Sequence, residues 1–489
     1  MFKNVPGNED QFSSKIPEQA SGESVDSISR ERGSRRISHT LHLSLILADV
    51  VFTFGIYVLV VWLRNGPVFW DYWYNVSTAI LMTAVVVMAN AGVGAYSRNC
   101  REFEVRDVCE QMIAATGGFL CILVVFFFLP EPFKGSRSSI LSTMAIAPLA
   151  SLTLRYIVFR ARRQVLGKRV ILVIADVHSM TPFLEWMQLL HSTYEVHFIS
   201  PVTGLVQSSP SQEDALAGMT MDEASAALSR NLEAIVIAEA PESLPVHFLN
   251  RLVTINFNSL PVYLLESFHA REWQTVPLST VSARWALNEG FSLSQSATYS
   301  RLKRLTDILF ATLSLILCSP VLLLVAILVK LDSRGPVIYR QQRVGLHERH
   351  FTIYKFRTMR VGSDKGPAYT SENDSRVTRL GSFLRKTRLD ELPQMVNVLR
   401  GEMSLIGPRA EWNLLVSDYE RNIPYYHLRH LVKPGITGWA QVNYSYGANI
   451  RDTQIKLSYD LYYVRYFSFM LDLSIIIKTV YVIVFGKGR

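Results

Sequence analysis

The chain has 489 residues and a formal net charge of +9, a length that excludes one small domain and indicates several. The positive charge favours an anionic partner, such as anionic lipid, a sugar nucleotide or nucleic acid. The four cysteines lack the spacing of metal ligands, so neither a zinc site nor a disulfide framework is predicted.

The N-terminal region contains a polar tail and then four apolar segments. Residues 1–38 are rich in Ser, Glu and Arg without a helical period, which predicts a disordered cytoplasmic tail. Residues 39–162 are predicted to form a bundle of four transmembrane helices, because each apolar segment has about the 20 residues needed to cross a bilayer. The predicted helices are Leu43–Leu63, Asn75–Val93, Met112–Leu129 and Ile140–Phe159.

The basic residues between these segments predict their orientation. Clusters of Arg and Lys precede the first predicted helix, separate the second from the third and follow the fourth. By the positive-inside rule, the N-terminus and everything after residue 160 are then cytoplasmic. Asp49 lies within the first predicted helix. Because a lipid-facing carboxylate would cost about 3 kcal/mol, Asp49 is predicted to pack inside the bundle.

Residues 163–290 alternate strand-like and helix-like segments, which predicts a small parallel sheet of Rossmann type. The first turn, residues 175–179, lacks the glycines that let a backbone approach a pyrophosphate, so no bound dinucleotide is expected. The favoured interpretation is a domain for oligomer contacts or regulation, which leaves a homo-oligomer open.

The C-terminal region, residues 291–489, begins with an apolar segment that is long enough to span a membrane, Ile308–Val329. A fifth transmembrane helix is one interpretation. However, both ends of the segment are basic, Pro320 removes a helical N–H near its middle, and Ser319 can satisfy a freed backbone group. These features favour a broken helix over residues 305–330 that enters and leaves the membrane on the same face.

Two adjacent carboxylates, Asp390 and Glu391, lie in a basic stretch. The flanking cations are Arg385, Lys386, Arg388, Arg400 and Arg409. Cations within reach keep a carboxylate ionised at neutral pH, and an ionised Asp is a candidate nucleophile towards a phosphate. Pro393 fits the first turn of a helix, which would place the pair at a helix N-terminus that favours phosphates. A solvated helix start with surface ion pairs is the competing interpretation.

Long motifs surround this pair. They are KRLTD, the Ser319-Pro320 pair, GPVIYRQQRVG, KFRTM, NDSRVTRLGSFLRKTRLDELPQMVNVLRGEMSLIGPR and VKPGITGWAQVN. They resemble the signature of bacterial polyprenyl-phosphate hexose-1-phosphate transferases, the large monotopic phosphoglycosyl transferases. The resemblance covers roughly the last two-fifths of the chain. The N-terminal architecture is similar to that of longer members, which start polysaccharide repeat units.

The resemblance implies a fold class: a four-helix transmembrane bundle, a Rossmann-like α/β domain, and an α/β monotopic phosphoglycosyl transferase domain with a re-entrant membrane helix. It also implies transfer of hexose-1-phosphate from a UDP-hexose to undecaprenyl phosphate, with release of UMP and a covalent aspartyl-phosphosugar intermediate. Glucose is the first expectation and galactose the second. This step would begin exopolysaccharide or capsule synthesis. The protein would be a multi-pass protein of the bacterial inner membrane, in contact with membrane lipid, with its catalytic domain on the cytoplasmic side.

The resemblance assigns roles to individual residues. Asp390 matches the family nucleophile and Glu391 its partner carboxylate, and together they are implied to bind or orient Mg²⁺. Arg385 and Arg409 match positions that contact phosphate, a task that suits the planar guanidinium group. Ser319 and Pro320 match the break of the re-entrant helix.

Two further sets of residues have competing interpretations. Lys355 and Arg357, on a predicted strand, either line a diphosphate pocket or belong to a solvated strand face. Gly435, Gly438 and Trp439 look like a substrate-side loop in which the indole stacks on a sugar or base, and a packed turn is the alternative.

Two other classes of function stay open. A membrane-bound sugar-nucleotide dehydratase or epimerase shares a four-helix anchor and a Rossmann unit, but it needs a glycine-rich loop that is missing here. Its Tyr-x-x-x-Lys pattern occurs at Tyr299 and Lys303 and is interpreted as chance. A catalytically inactive scaffold for polysaccharide assembly is the second class, and the intact carboxylate pair argues against it. Nucleic acid is not expected, because the basic residues cluster around the pair and the membrane flanks.

Overall fold

The protein is analysed through a computed structural model, which describes twelve ranges and two single residues. They are 23–66, 73–92, 105–128, 137–166, 169–189, 194–207, 217–228, 232–258, 260–281, 297–360, 374–444 and 449–484, with residues 96 and 362. The chain divides into two compact units, Met1–Phe103 with Glu110–Val165 and Glu104–Cys109 with Leu166–Arg489.

The first unit is built on four helices. They are α1 (Glu23–Asn65), α2 (Trp73–Gly92), α3 (Val105–Phe128) and α4 (Arg137–Leu166). Three segments of them are long and apolar enough to cross a membrane: Leu43–Arg64, Asn75–Gly92 and Ser138–Ala161. In α3 the apolar part within the described residues is shorter, Val108–Ile122. The first of these helices, α1, begins at Glu23, and residues 1–22 lie outside the described ranges. The disordered tail predicted over residues 1–38 stays a prediction.

Asp49 is buried in the first unit, with 3% of its surface exposed. Its carboxylate accepts hydrogen bonds from the hydroxyl groups of Ser151 at 2.6 Å and Tyr96 at 2.7 Å, and from the guanidinium of Arg155 at 3.0 Å. A buried charge is tolerated when it is paired and hydrogen-bonded. The prediction that Asp49 packs inside the bundle is confirmed.

The second unit begins with a five-stranded sheet. Its strands are β1 (Arg169–Ile174), β2 (Tyr194–Ile199), β3 (Val206–Gln207), β4 (Leu232–Ile237) and β5 (Val262–Leu264). The strand order is β3-β2-β1-β4-β5, and only β3, at the edge, is antiparallel. The order reverses between β1 and β4, as in Rossmann-type folds.

Helices cover both faces of this sheet. They are α5 (Val177–Leu189), α6 (Met221–Ala227), α7 (Val246–Asn258) and the short α8 (Leu265–Phe268). Alternate residues of β1 enter two separate cores, Leu172 and Ile174 on one face and Ile171 and Val173 on the other. Burial on both faces is the reason that β1 reads as a continuous apolar run.

Two apolar helices follow, α9 (Ala297–Leu317) and α10 (Ser319–Asp332), and they meet at a bend of 62°. The Ser319 hydroxyl donates to the Ile316 carbonyl at 2.8 Å. Pro320 lies in the first turn of α10, where its missing N–H costs no helical hydrogen bond. The bend falls at the two residues predicted to break the helix, and a re-entrant course through a membrane stays a prediction.

The rest of the second unit surrounds two small sheets. The strands β6 (Ile338–Val344) and β7 (His350–Phe356) are antiparallel, and β8 (Ser404–Ile406) pairs in parallel with β9 (Gly435–Thr437). The helices are α11 (Arg379–Thr387), α12 (Met395–Arg400), α13 (Asn413–Asn422), α14 (Trp439–Asn443), α15 (Ile450–Tyr466) and α16 (Phe469–Val484). A 3₁₀ segment, Leu389–Gln394, connects α11 to α12 and packs on β7. It is called the dyad turn below.

Candidate active site

The dyad turn carries the two adjacent carboxylates. Arg388 ends α11 in the left-handed region, with φ of +58°, and redirects the chain into the turn. Asp390 and Glu391 lie in its first residues and are 7% and 8% exposed. Pro393 lies in the same turn, one residue before the end of the segment. The competing interpretation of a solvated helix start is therefore wrong.

Glu391 is held by two cations from different elements. The Lys355 ammonium on β7 donates to Glu391 Oε1 at 2.8 Å, and Arg409 Nη2 lies 3.6 Å from the same oxygen. Burial by itself would raise the pKa of Glu391, but the charges of Lys355 and Arg409 outweigh burial and hold that pKa well below its usual range. Glu391 is therefore a fixed anion, and Lys355 belongs to the site and not to a solvated strand face.

Asp390 has a different environment from its neighbour. Burial and then the charge of Glu391 raise its pKa, and the charges of Lys355, Arg385 and Arg388 lower it only in part. The net direction is opposite to the one expected from the surrounding cations alone. Its Oδ1 is buried and has no hydrogen-bond partner among the described residues. An ionised oxygen without hydrogen bonds keeps its lone pairs for an electrophile.

Arg385 reaches the site because α11 packs directly against the chain that follows β7. A Cβ on Gly381 would lie 2.0 Å from the Thr358 carbonyl oxygen, so only glycine permits this approach. The Thr378 hydroxyl caps the start of α11 by accepting the Gly381 N–H at 2.9 Å. From the last turn of the helix, Arg385 Nε donates to the Thr358 hydroxyl at 2.9 Å. Its charge lowers the pKa of Asp390, so the guanidinium lies within electrostatic reach of that carboxylate.

Arg409 is carried by a turn that glycines pack against β9. A Cβ on Gly407 would lie 2.3 Å from the Lys433 carbonyl oxygen. A Cβ on Gly435 or Gly438 would lie 2.1 Å from backbone atoms of Gly407. These glycines therefore allow close packing of the backbone, which positions Arg409. This arrangement corresponds to the packed-turn interpretation.

Trp439 does not face a substrate. Its side chain is 3% exposed, its Nε1 donates to the Gln274 carbonyl at 2.9 Å, and the Lys478 ammonium lies 4.3 Å from its ring centroid. The predicted substrate loop of Gly435, Gly438 and Trp439 is corrected, because an indole buried in this way has no free face for a sugar or base.

Arg357 is also placed away from the carboxylates. Its guanidinium donates to the carbonyl groups of Ser333 at 2.6 Å and Pro336 at 2.5 Å, next to the end of α10. Carbonyl groups at a helix C-terminus lack intrahelical partners, and a buried guanidinium satisfies them. Within the described part of the chain, all its partners lie there, so its assignment to phosphate binding is corrected.

Two arginines that the sequence did not single out support the Arg409 turn. Arg343 on β6 donates to the Ala410 carbonyl at 2.9 Å. Arg429 donates to the Arg409 carbonyl at 3.0 Å and pairs with Asp460 at 2.7 Å. Arg343 lies within one of the quoted motifs, whereas no local pattern marks Arg429, because its partners are distant in sequence.

Comparison with known proteins gives a consistent classification. A model of the family described as bacterial sugar transferase matches residues 298–486. A UDP-N-acetylgalactosamine-undecaprenyl-phosphate N-acetylgalactosaminephosphotransferase of Aeromonas hydrophila is 33% identical over 428 residues, which are 87% of this chain and 91% of that relative.

Two relatives named for glucose match over shorter stretches. A UDP-glucose:undecaprenyl-phosphate glucose-1-phosphate transferase of Escherichia coli is 47% identical over 183 residues, 37% of this chain and 39% of the relative. An undecaprenyl-phosphate glucose phosphotransferase of Komagataeibacter xylinus is 37% identical over 276 residues, 53% of this chain and 50% of the relative.

The family model and the named relatives confirm the enzyme class predicted from the sequence, a phosphoglycosyl transferase. The chain belongs to the bacterial sugar transferase family.

Proposed function

We propose that the protein transfers hexose-1-phosphate from a UDP-hexose to undecaprenyl phosphate and releases UMP. The observation that carries this proposal is Asp390 Oδ1, a buried carboxylate oxygen without a hydrogen-bond partner in the described residues, next to the anion Glu391 and its cations. The relatives named above act on undecaprenyl phosphate by their names, which supports the same acceptor.

The proposed reaction has two displacements at one phosphorus. Asp390 attacks the phosphorus bonded to the sugar, the bond to the UMP oxygen breaks, and UMP leaves with the bonding electrons. A phosphate oxygen of undecaprenyl phosphate then attacks the same phosphorus and displaces the Asp390 carboxylate. Dividing one displacement into two is the advantage of covalent catalysis. Arg385 and Arg409 neutralise the charge of the diphosphate during the first step.

We propose Mg²⁺ as the cofactor, held by Asp390 and Glu391 together with the donor phosphates. Mg²⁺ is typically bound by one or two carboxylates plus substrate phosphates. The orphaned Asp390 oxygen fits this role, and both ion pairs of Glu391 fall on Oε1, which leaves its second oxygen for the ion. Within the described ranges, no group of three or more His, Cys, Asp and Glu could form a site without substrate. The ion would reduce the repulsion between carboxylate and diphosphate.

The apolar helices support a location at the inner membrane, with the catalytic domain on the cytoplasmic side. Large apolar side chains of α9 and α10 are exposed in the second unit, and they include Leu309, Leu313, Leu317, Leu323, Ile327 and Leu331. Exposed apolar patches of this kind mark interaction with membranes or proteins. A lipid-embedded α9–α10 pair would bring a membrane-bound acceptor to an enzyme that also meets a water-soluble donor.

We expect UMP release from UDP-glucose when undecaprenyl phosphate is present, measured with purified protein in detergent against UDP-galactose and UDP-N-acetylgalactosamine. Glucose is proposed because relatives with that name match the C-terminal region at 47% identity. N-acetylgalactosamine is the second candidate, because the relative that matches 87% of this chain is named for it. Absence of UMP release from every donor would contradict the transferase proposal and support an inactive scaffold.

We expect the substitution Arg388→Ser to move the acid limb of the pH–rate profile to higher pH. The attacking form of Asp390 is ionised, so activity is present above its pKa and is lost as the pH falls through it. Because the charge of Arg388 lowers the pKa of Asp390, its removal raises that pKa. The control is Arg421→Ser, whose side chain pairs with Asp418 on an exposed surface. An unchanged or downward-shifted limb in Arg388→Ser would contradict the assignment.

A further inference from the structure

A cavity of about 720 Å³ lies in the second unit, between the carboxyl ends of β1 and β4 and the first turns of α15. Its walls include His178, Glu185, Trp186, Glu239, Glu266 and Arg451. Ligand pockets typically have about 300–1,000 Å³, and open α/β sheets bind ligands where the strand order reverses. Neither the dyad turn nor its cations line this cavity.

The lining charges disfavour a phosphate ligand. Among the described lining residues, three are carboxylates, Glu185, Glu239 and Glu266, and one carries a guanidinium group, Arg451. Arg451 already pairs with Glu185 at 2.9 Å, and Glu266 pairs with Arg465, so the negative charge left in the wall is that of Glu239. An excess of negative charge in a concave site repels anions and favours groups that donate hydrogen bonds.

The turn after β1 leads to the same conclusion. In dinucleotide-binding folds, the N–H groups at the start of this helix bind the pyrophosphate. Here Asp176 Oδ1 accepts the Ser179 N–H at 2.8 Å, and Glu239 Oε1 accepts the Asp176 N–H at 3.0 Å. Protein carboxylates therefore occupy donors that a phosphate would need.

The remaining features of the cavity are an acceptor and apolar walls. Glu239 uses Oε1 to accept the Asp176 N–H, and because a carboxylate can accept several hydrogen bonds, Glu239 remains an acceptor in the wall of the cavity. Phe183, Trp186 and Ile455 provide apolar and aromatic surface. His269, also in the wall, is uncharged at neutral pH because burial lowers its pKa to about 3.

We propose that this cavity binds an uncharged ring compound with vicinal hydroxyl groups, such as a nucleoside or a free sugar. Glu239 accepts the hydroxyl hydrogens, and Trp186 and Phe183 cover the apolar face of the ring. Hydrogen bonds from hydroxyl groups to a carboxylate are the strong, charge-assisted kind. This binding site is separate from the transferase site and does not depend on the reaction proposed there.

The test is calorimetric titration of the full-length protein in detergent with uridine, adenosine, glucose and N-acetylgalactosamine, each alone. We expect saturable binding of at least one of them, and a loss of affinity of about tenfold to a hundredfold in Glu239→Gln, because one charge-assisted hydrogen bond is weakened. Gln keeps an oxygen for the Asp176 N–H, so the turn should remain folded. Binding of the nucleosides but not the sugars, or the reverse, identifies the source of the ring.

Two further variants complete the test. Ala240 lies at the exposed rim, and Ala240→Trp should block the cavity and abolish binding. Glu242 is an acidic residue outside the lining, and the Glu242→Gln protein should bind as the wild type does. Thermal unfolding of each variant shows that it is folded, and UMP release tests the transferase proposal separately. Absence of binding by all four compounds, or equal affinity in Glu239→Gln, would overturn the inference.

Discussion

Replacing Asp390 with Asn is expected to abolish the covalent phosphosugar adduct and to reduce UMP release at least about a thousandfold. An amide of the same shape cannot attack phosphorus as a carboxylate does. The fold should be retained, because a neutral amide removes the cost of burying a charge beside Glu391. Intact-protein mass spectrometry of the enzyme mixed with donor alone measures the adduct, and thermal unfolding measures the stability.

The control for this substitution is Asp418→Asn, which changes an exposed carboxylate in a surface ion pair. Exposed pairs contribute little, so its adduct and turnover should match those of the wild type. Full turnover by the Asp390→Asn variant would refute the nucleophile assignment. An adduct found on Glu391 would transfer the nucleophilic role to that residue.

Replacing Arg409 with Ala is expected to lower kcat/KM for the UDP-hexose about a hundredfold, because removal of a charged donor from a transition-state contact typically has an effect of this size. Glu391 would keep its hydrogen bond from Lys355, at 2.8 Å, so the buried anion would not be left unpaired. Arg409→Lys should restore part of the activity, since it returns the charge without the planar fork. Steady-state kinetics with varied donor concentration measures both variants.

Arg400→Ala provides the matched control for Arg409. Arg400 is an exposed arginine of the same basic stretch, and it donates to the Tyr354 hydroxyl at 2.7 Å. It is not among the leading causes of the pKa shifts of Asp390 and Glu391. We therefore expect nearly unchanged kinetics in Arg400→Ala. Unchanged kcat/KM in Arg409→Ala would show that this guanidinium does not engage the donor.

Features that depend on local residue patterns were predictable from the sequence. The apolar segments predicted the helices of the first unit, and the alternation after residue 163 predicted the Rossmann-type sheet. Pro320 and Ser319 predicted the break between α9 and α10, because a missing N–H acts within one helical turn. The motifs likewise predicted the family, since they are contiguous in the sequence.

The partners of individual side chains were decided by the tertiary structure. Lys355 lies 36 positions before Glu391, and only the packing of the dyad turn on β7 brings them to 2.8 Å. Trp439 and Arg357 have residue types suited to binding sugars and phosphates, yet one is buried against Gln274 and the other caps α10. The sequence by itself determined the elements, the break and the carboxylate pair, because short-range sterics and periodicity govern them. Burial, charge pairing and the cavity at the carboxyl ends of β1 and β4 depend on contacts between distant segments. Only the folded chain therefore decided which side chains are paired and which are accessible.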